Sequence, residues 1–343
     1  MALPYSHLLA YATPWAAYMA ASLPITLWFG KFATDTLAIP AGAMGAMVMT
    51  ARVWDGISDP VAGYLSDRTV SPRGRRLSWM TASALPIALA LVALWSPPQA
   101  MEGIALILWM GAAYILWETA STALIVPYIA LGNELTEDYH ERTRLFAWRH
   151  ALSILGYPIG LGLVYLLRTS AQSSSGDGRW MAFTLGVVGA ALLASAILGA
   201  VRALPEPADH QRRGGDRVWP AFADVFRNPH ARVLLLVYAV ESFGMGSISF
   251  LVPYALEDVL GRLDYLELVL MAWIIPQFAF TPLWLRLARH TSKKTLWIGA
   301  MILYAIAFTT NLAIPALGLP FLFVVVFIPV SYTHLTLPTI CSV

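Results

Sequence analysis

Residues 52–76 read Arg-Val-Trp-Asp-Gly-Ile-Ser-Asp-Pro-Val-Ala-Gly-Tyr-Leu-Ser-Asp-Arg-Thr-Val-Ser-Pro-Arg-Gly-Arg-Arg. The first part sets Arg52, Asp55 and Asp59 in a segment otherwise rich in Met, Val, Ile, Ala and Gly. The second is a compact basic turn, from Asp67 and Arg68 to Gly74, Arg75 and Arg76. A charge inside a membrane span costs about 2.5–3.5 kcal/mol on insertion scales, so such residues face a bundle interior and mark function there. What flanks the segment decides whether it is a span.

The flanks are apolar. The chain has 343 residues, 58% hydrophobic and 12% charged, against about 25% charge in ordinary soluble domains. Its mean hydropathy is +0.64. Apolar stretches of about 20 residues, long enough to cross a bilayer, fall near 11–33, 40–65, 77–97, 103–131, 147–168, 180–203, 231–256, 265–287 and 295–315. They predict an all-α polytopic membrane protein embedded in a lipid bilayer. The net charge of +2 is unevenly placed. Arg68, Arg73, Arg75 and Arg76 follow the second stretch; Arg142, Arg144 and Arg149 follow the fourth; Arg202, Arg212, Arg213, Arg217, Arg227 and Arg232 follow the sixth; Arg286, Arg289, Lys293 and Lys294 follow the eighth. The positive-inside rule then puts these loops and the N-terminus in the cytoplasm. The start of the chain has no basic n-region, so the first span is expected to be retained. A single cysteine, Cys341, excludes an intrachain disulfide or a cysteine-based metal site.

The polar stretch 204–230, with its Pro and Gly, reads as a cytoplasmic linker. It separates an N-terminal six-helix bundle, 1–203, from a partial C-terminal bundle, 231–330. Six spans before a central loop fit transporters built from repeats. On that pattern nine to ten spans of an expected twelve are present, and the Thr-rich end, 331–343, reads as a non-native tail.

At 100° per residue, Arg52, Asp55 and Asp59 share a helix sector of about 60°. Two carboxylates one turn apart repel, so one holds a proton, shares a cation or pairs with a base. That is an oxygen-rich site suited to Na⁺ or H⁺. The same residues also fit an internally neutralised network that only fixes packing. In the fourth span Glu118 and Thr122 lie one turn apart beside Trp117, a surface of acid, hydroxyl and indole suited to a polyol; alternatively Glu118 sits near the membrane edge or pairs with Arg149. Arg149 either reaches the cavity or snorkels to the cytoplasmic face. Asp67, Arg68, Arg75 and Arg76 either latch helices together or simply set topology.

The run Arg52-x-Trp-Asp-x-x-x-Asp-Pro-x-x-Gly-x-x-x-Asp-Arg-Thr-x-Ser-x-x-Gly-Arg-Arg76 is followed by Val126-Pro-Tyr, Glu134-Leu-Thr-x-Asp-Tyr-x-x-Arg-Thr-Arg-Leu145, Arg149 and Gly156. Together these resemble the glycoside–pentoside–hexuronide:cation symporters, the melibiose-carrier-like branch of the major facilitator superfamily. The resemblance implies a twelve-helix facilitator fold, here with an incomplete C-terminal bundle, in a bacterial inner membrane. It implies alternating-access symport of a sugar or glycoside with Na⁺, Li⁺ or H⁺, with no enzyme activity, cofactor or nucleic acid involved. By position Asp55 and Asp59 would be the cation ligands, holding a metal ion if the coupling ion is Na⁺. Arg52 would lie near these cation ligands, Arg149 and the acid at or beside Glu118 would contact sugar, and Arg52, Trp117 and Thr122 join them as the candidate substrate site. Asp67, Arg68, Gly74, Arg75 and Arg76 would form a cytoplasmic gating turn. The chain departs from the family in the first span, where Tyr11-Ala-Thr-Pro-Trp15 lacks the acid that many members carry.

Three other readings compete. One is a lysolipid or other amphiphile carrier of the same fold. Another is a membrane prenyltransferase, since Asp55-x-x-x-Asp59 superficially matches an Asp-rich diphosphate–Mg²⁺ motif; the only second motif on offer is Asp258 with Asp264, on the opposite face. The third is a fragment that transports nothing.

Overall fold

The computed structural model describes residues 3–171, 177–206, 227–279, 291 and 293–310. Most of the expected linker and the expected tail 331–343 lie outside the described residues. The chain divides into two compact units, Met1–Ser247 and Ile248–Val343.

The first unit holds α1 (Tyr5–Lys31, continued by a π-helical turn Phe32–Thr36), α2 (Ala41–Arg68), α3 (Arg75–Trp95), α4 (Gly103–Glu134), α5 (Tyr139–Ala171) and α6 (Asp177–Ala203). Helix α7 (Pro229–Tyr254) begins there and runs past the boundary. In the second unit a π-helical turn (Ala255–Val259) and a 3-10 turn (Leu263–Tyr265) lead to α8 (Leu266–Ala279) and α9 (Lys293–Thr310). Each helix falls on one of the apolar stretches. Among the described residues four helices are long and apolar enough to cross a membrane: Arg75–Trp95, Gly103–Glu134, His140–Ser170 and Arg179–Ala203. Helix α2 is as long, at 28 residues; its charges take it out of that set.

Chain ends of helices are satisfied by side chains where the sequence offers them. Asp138 Oδ1 accepts the backbone N–H groups of His140 (2.7 Å) and Glu141 (3.1 Å) at the start of α5. Asn228 Oδ1 does the same for His230 (3.0 Å) and Ala231 (3.3 Å) at α7. These are N-caps, which answer donors the helix cannot pair internally.

Within the first unit α1 packs on α5 and α6, α3 on α4 and α6, and α2 on α4. The α1–α5 seam is close because Gly156 and Gly160 face α1. A Cβ at Gly160 would stand 2.9 Å from Leu23 Cβ, and one at Gly156 would run into the Ala16 carbonyl oxygen. Small residues four apart allow helix backbones to approach without a hydrophobic drive. Helix α2 is two-faced: Val53, Ile57, Val61 and Leu65 form an exposed apolar stripe, while Arg52, Asp55 and Asp59 sit on the side that meets α4.

Candidate functional site

Three polar rungs join α2 to α4. Arg52 donates from Nη1 to Asp55 Oδ2 at 2.8 Å and from Nη2 to Glu118 Oε1 at 2.9 Å and the Tyr114 hydroxyl at 3.2 Å. The Thr122 hydroxyl donates to Asp59 Oδ1 at 2.7 Å, with Ser58 Oγ 3.5 Å from the same hydroxyl. Near them the Trp54 indole N–H donates to Thr119 Oγ1 at 2.7 Å. Tyr114, Glu118 and Thr122 are each one turn apart, so they make one stripe on α4 that faces the stripe on α2.

The charges do not balance locally. One guanidinium meets three carboxylates, of which Asp55 and Glu118 are bonded to it directly. Asp55 Oδ1 is buried and has no hydrogen-bond partner among the described residues. Leaving a buried acceptor unsatisfied costs about 1–3 kcal/mol, so a proton or a cation at this oxygen would be stabilising. Among the described residues no group of three or more His, Cys, Asp and Glu side chains is arranged to hold a metal ion. An alkali ion here would therefore rest on Asp55 and Asp59 supplemented by hydroxyl oxygens such as that of Thr122, as hard cations prefer.

Beside these rungs runs a column of aromatic rings. Trp117, 2% exposed, stacks on Tyr18 with centroids 5.7 Å apart. Trp15 stacks on Tyr128 at 5.9 Å and Tyr128 on Tyr11 at 4.5 Å. The Tyr128 hydroxyl donates to the Tyr11 carbonyl at 2.6 Å. Arg149 lies over Trp15 and Phe146, 4.9 and 4.7 Å from their centroids, a cation–π arrangement. The alternative partner for Glu118 is corrected: its partner is Arg52, because α2 and not α5 packs on that stripe of α4. Trp117 forms a buried wall, its ring face covered by Tyr18. Tyr18 and Tyr114 escaped the sequence reading, although Tyr11, Trp15 and Tyr18 recur at the helical spacing that marks one face.

The basic turn is a second polar cluster. Arg75 and Arg76, both 5% exposed, donate from Nη2 to Glu134 Oε1 at 2.7 and 3.0 Å. Arg76 also donates to Ser66 Oγ at 2.7 Å and pairs with Asp67. Arg68 lies 4.2 Å from the Tyr64 ring centroid. Gly74 precedes α3 with φ +97°, a conformation that side chains resist. Glu206, just beyond α6, caps α3. Its Oε1 accepts the Arg75 N–H at 2.8 Å, its two oxygens share the Arg76 N–H at 3.1 and 3.0 Å, and Oε2 accepts the Leu77 N–H at 3.0 Å. A carboxylate at a helix N-terminus also meets the positive end of the macrodipole. A Cβ on Gly74 would overlap that carboxylate. So Asp67, Gly74, Arg75 and Arg76 come together with Glu134 and Glu206 in one cluster.

The family model described as MFS/sugar transport protein matches residues 10–337. The chain is 34% identical over 164 residues to the inner membrane symporter YicJ of Escherichia coli (strain K12), covering 48% of this chain and 35% of that one. It is 26% identical over 154 residues to sodium-dependent lysophosphatidylcholine symporter 1-A of Danio rerio, covering 45% of this chain and 29% of that one. The chain spans less than two thirds of the length of the curated relatives it matches. Among solved structures it shares its fold with a D-xylose-proton symporter, at a TM-score of 0.66 and 15% identity, over 96% of this chain and 80% of that one.

Proposed function

Since the chain belongs to the MFS/sugar transport protein family, whose named relatives here are symporters and not enzymes, we propose that it is a secondary active transporter. In this reading it couples movement of a sugar or glycoside to Na⁺ or H⁺ by alternating access. The observation that carries it is the α2–α4 seam, where Asp55 Oδ1 is buried without a partner among the described residues, one turn from Asp59. Two conformations that differ in access need a group whose charge state or ligand differs between them. Asp55 and Asp59 serve as the ion-coupling pair, and Arg52 with Glu118 tie that pair to α4. Arg149, with Trp15 and the edge of Trp117, forms the sugar-facing side, with Thr122 bridging to Asp59. Asp67, Arg68, Gly74, Arg75 and Arg76 are the gating turn, with Glu134 as the acid that Arg75 and Arg76 release or regain.

The likeness to a lysophosphatidylcholine symporter supports a second reading, an amphiphile carrier of the same fold. The rings of Tyr18 and Trp117 suit either a pyranose or an apolar tail, so the substrate itself decides. The prenyltransferase reading is set aside, because the family is one of transporters. Uptake of radiolabelled glycoside into membrane vesicles under an imposed Na⁺ or H⁺ gradient tests the proposal. Gradient-dependent accumulation is expected; glycoside entry at the same level with and without both gradients would sink symport. Gradient-driven uptake of labelled lysophosphatidylcholine in place of glycoside would favour the second reading.

A further inference from the structure

Between the α2–α3 turn and the end of α6 lies a cleft of about 580 Å³, walled by Leu77, Leu198 and Val201 and carrying Arg73, Arg202 and Glu206. The Glu206 carboxylate is occupied by the three N–H groups at the start of α3. Arg73 and Arg202 are exposed, and neither guanidinium has a partner among the described residues; the Arg73 backbone N–H donates to Ser71 Oγ at 3.3 Å. Among the described residues the cleft therefore offers two uncommitted guanidinium groups next to an apolar wall. Arg75–Trp95 and Arg179–Ala203 are both long and apolar enough to cross a membrane, and Arg73 and Arg202 stand at the same end of these two helices. Further along α3, about two turns beyond Leu77, Leu85 is 67% exposed.

We propose that this cleft binds the headgroup of an anionic phospholipid from the adjoining leaflet. The planar guanidinium groups of Arg73 and Arg202 take the phosphate diester, which they match in charge and in donor geometry. Leu77, Leu198 and Val201 take the glycerol and the first methylenes, and one chain follows α3 toward Leu85. The volume suits a headgroup, within the roughly 300–1,000 Å³ of small-molecule sites. Basic pockets between spans at the cytoplasmic face recognise anionic headgroups in this way. A phosphatidylcholine brings its own ammonium to the arginines and is disfavoured; inorganic phosphate leaves the apolar wall bare. The proposal rests on α3 and α6 crossing the membrane and not on symport, so it stands or falls separately from the transport reading.

The test uses the full 343-residue chain purified in micelles doped with phosphatidylglycerol or phosphatidylcholine, with retained lipid counted by native mass spectrometry. Phosphatidylglycerol should be retained in preference to phosphatidylcholine. The double variant Arg73→Gln/Arg202→Gln should retain about tenfold less phosphatidylglycerol, on the scale of a basic residue's worth at an anionic surface. Its phosphatidylcholine retention should not change. Arg73→Lys/Arg202→Lys keeps the charge and should retain most of the phosphatidylglycerol, which separates lost charge from disturbed packing. Equal phosphatidylglycerol retention by the wild type and the Gln variant would overturn the proposal. So would displacement of the lipid by millimolar inorganic phosphate.

Discussion

At Arg52 one guanidinium holds Asp55, Glu118 and the Tyr114 hydroxyl, so removing it leaves two acids facing each other across α2 and α4. Arg52→Gln should lower stability by about 1–3 kcal/mol, the cost of unsatisfied buried acceptors, toward the lower end because the Arg52 side chain is 56% exposed. Thermal melting in detergent measures it. Arg52→Gln/Glu118→Gln should recover part of the loss, since residues in one ion-pair network couple by about 0.5–3 kcal/mol; strictly additive losses would break the assigned pairing. The acids of this site were legible in the sequence because a charge in an apolar stretch is costly and stands out. Tyr114 was not, because a tyrosine in a span reads as ordinary apolar content until α2 is laid against α4.

Two helix starts show how elements are held by residues outside them. The Glu206 cap on α3 joins residues 131 apart in the chain, so no local pattern announces it. The Asp138 cap on α5, by contrast, sits two and three residues from the N–H groups it accepts. Gly74→Ala forces a side chain into φ +97° and against the Glu206 carboxylate. It should cost about 1–2 kcal/mol for the backbone alone. Glu206→Ala should cost about 0.5–2 kcal/mol, as for loss of other helix caps. The Gly74→Ala penalty should shrink when Glu206→Ala is already present, as read from melting temperatures of the four chains. An undiminished penalty would mean that the two residues do not meet. At Asp138 the His140 and Glu141 N–H groups hold the carboxyl below its ordinary range. Its folded pKa is depressed, so its contribution is present above the unfolded value of about 3.9 and is lost as pH falls through the folded one. Asp138→Asn keeps the cap without the titration. Its melting temperature relative to wild type should therefore rise as pH falls below about 4, whereas a constant difference from pH 7 downward would remove Asp138 from the acid response.

Across the molecule the helices of both units fall where apolar runs about a bilayer thick predicted them, because length and hydropathy are local properties. What the runs do not encode is which helix faces which. The α1–α5 seam depends on Gly156 and Gly160, and the aromatic column on α1 and α4 lying side by side. Gly156→Leu should prevent the close approach of α1 and α5 and sharply reduce the yield of monodisperse protein on size exclusion; an unchanged yield would contradict that seam. In the proposed coupling role the test falls on Asp59, which among the described residues is tied to α4 through Thr122 and lies outside the Arg52 ion pairs. Labelled glycoside accumulation under an imposed Na⁺ or H⁺ gradient, compared with glycoside exchange at zero gradient, separates coupling from permeation in wild type and Asp59→Asn. Asp59→Asn is predicted to lose gradient-driven accumulation while retaining part of the exchange. Gradient-driven accumulation equal to that of the wild type would show that Asp59 does not couple the ion.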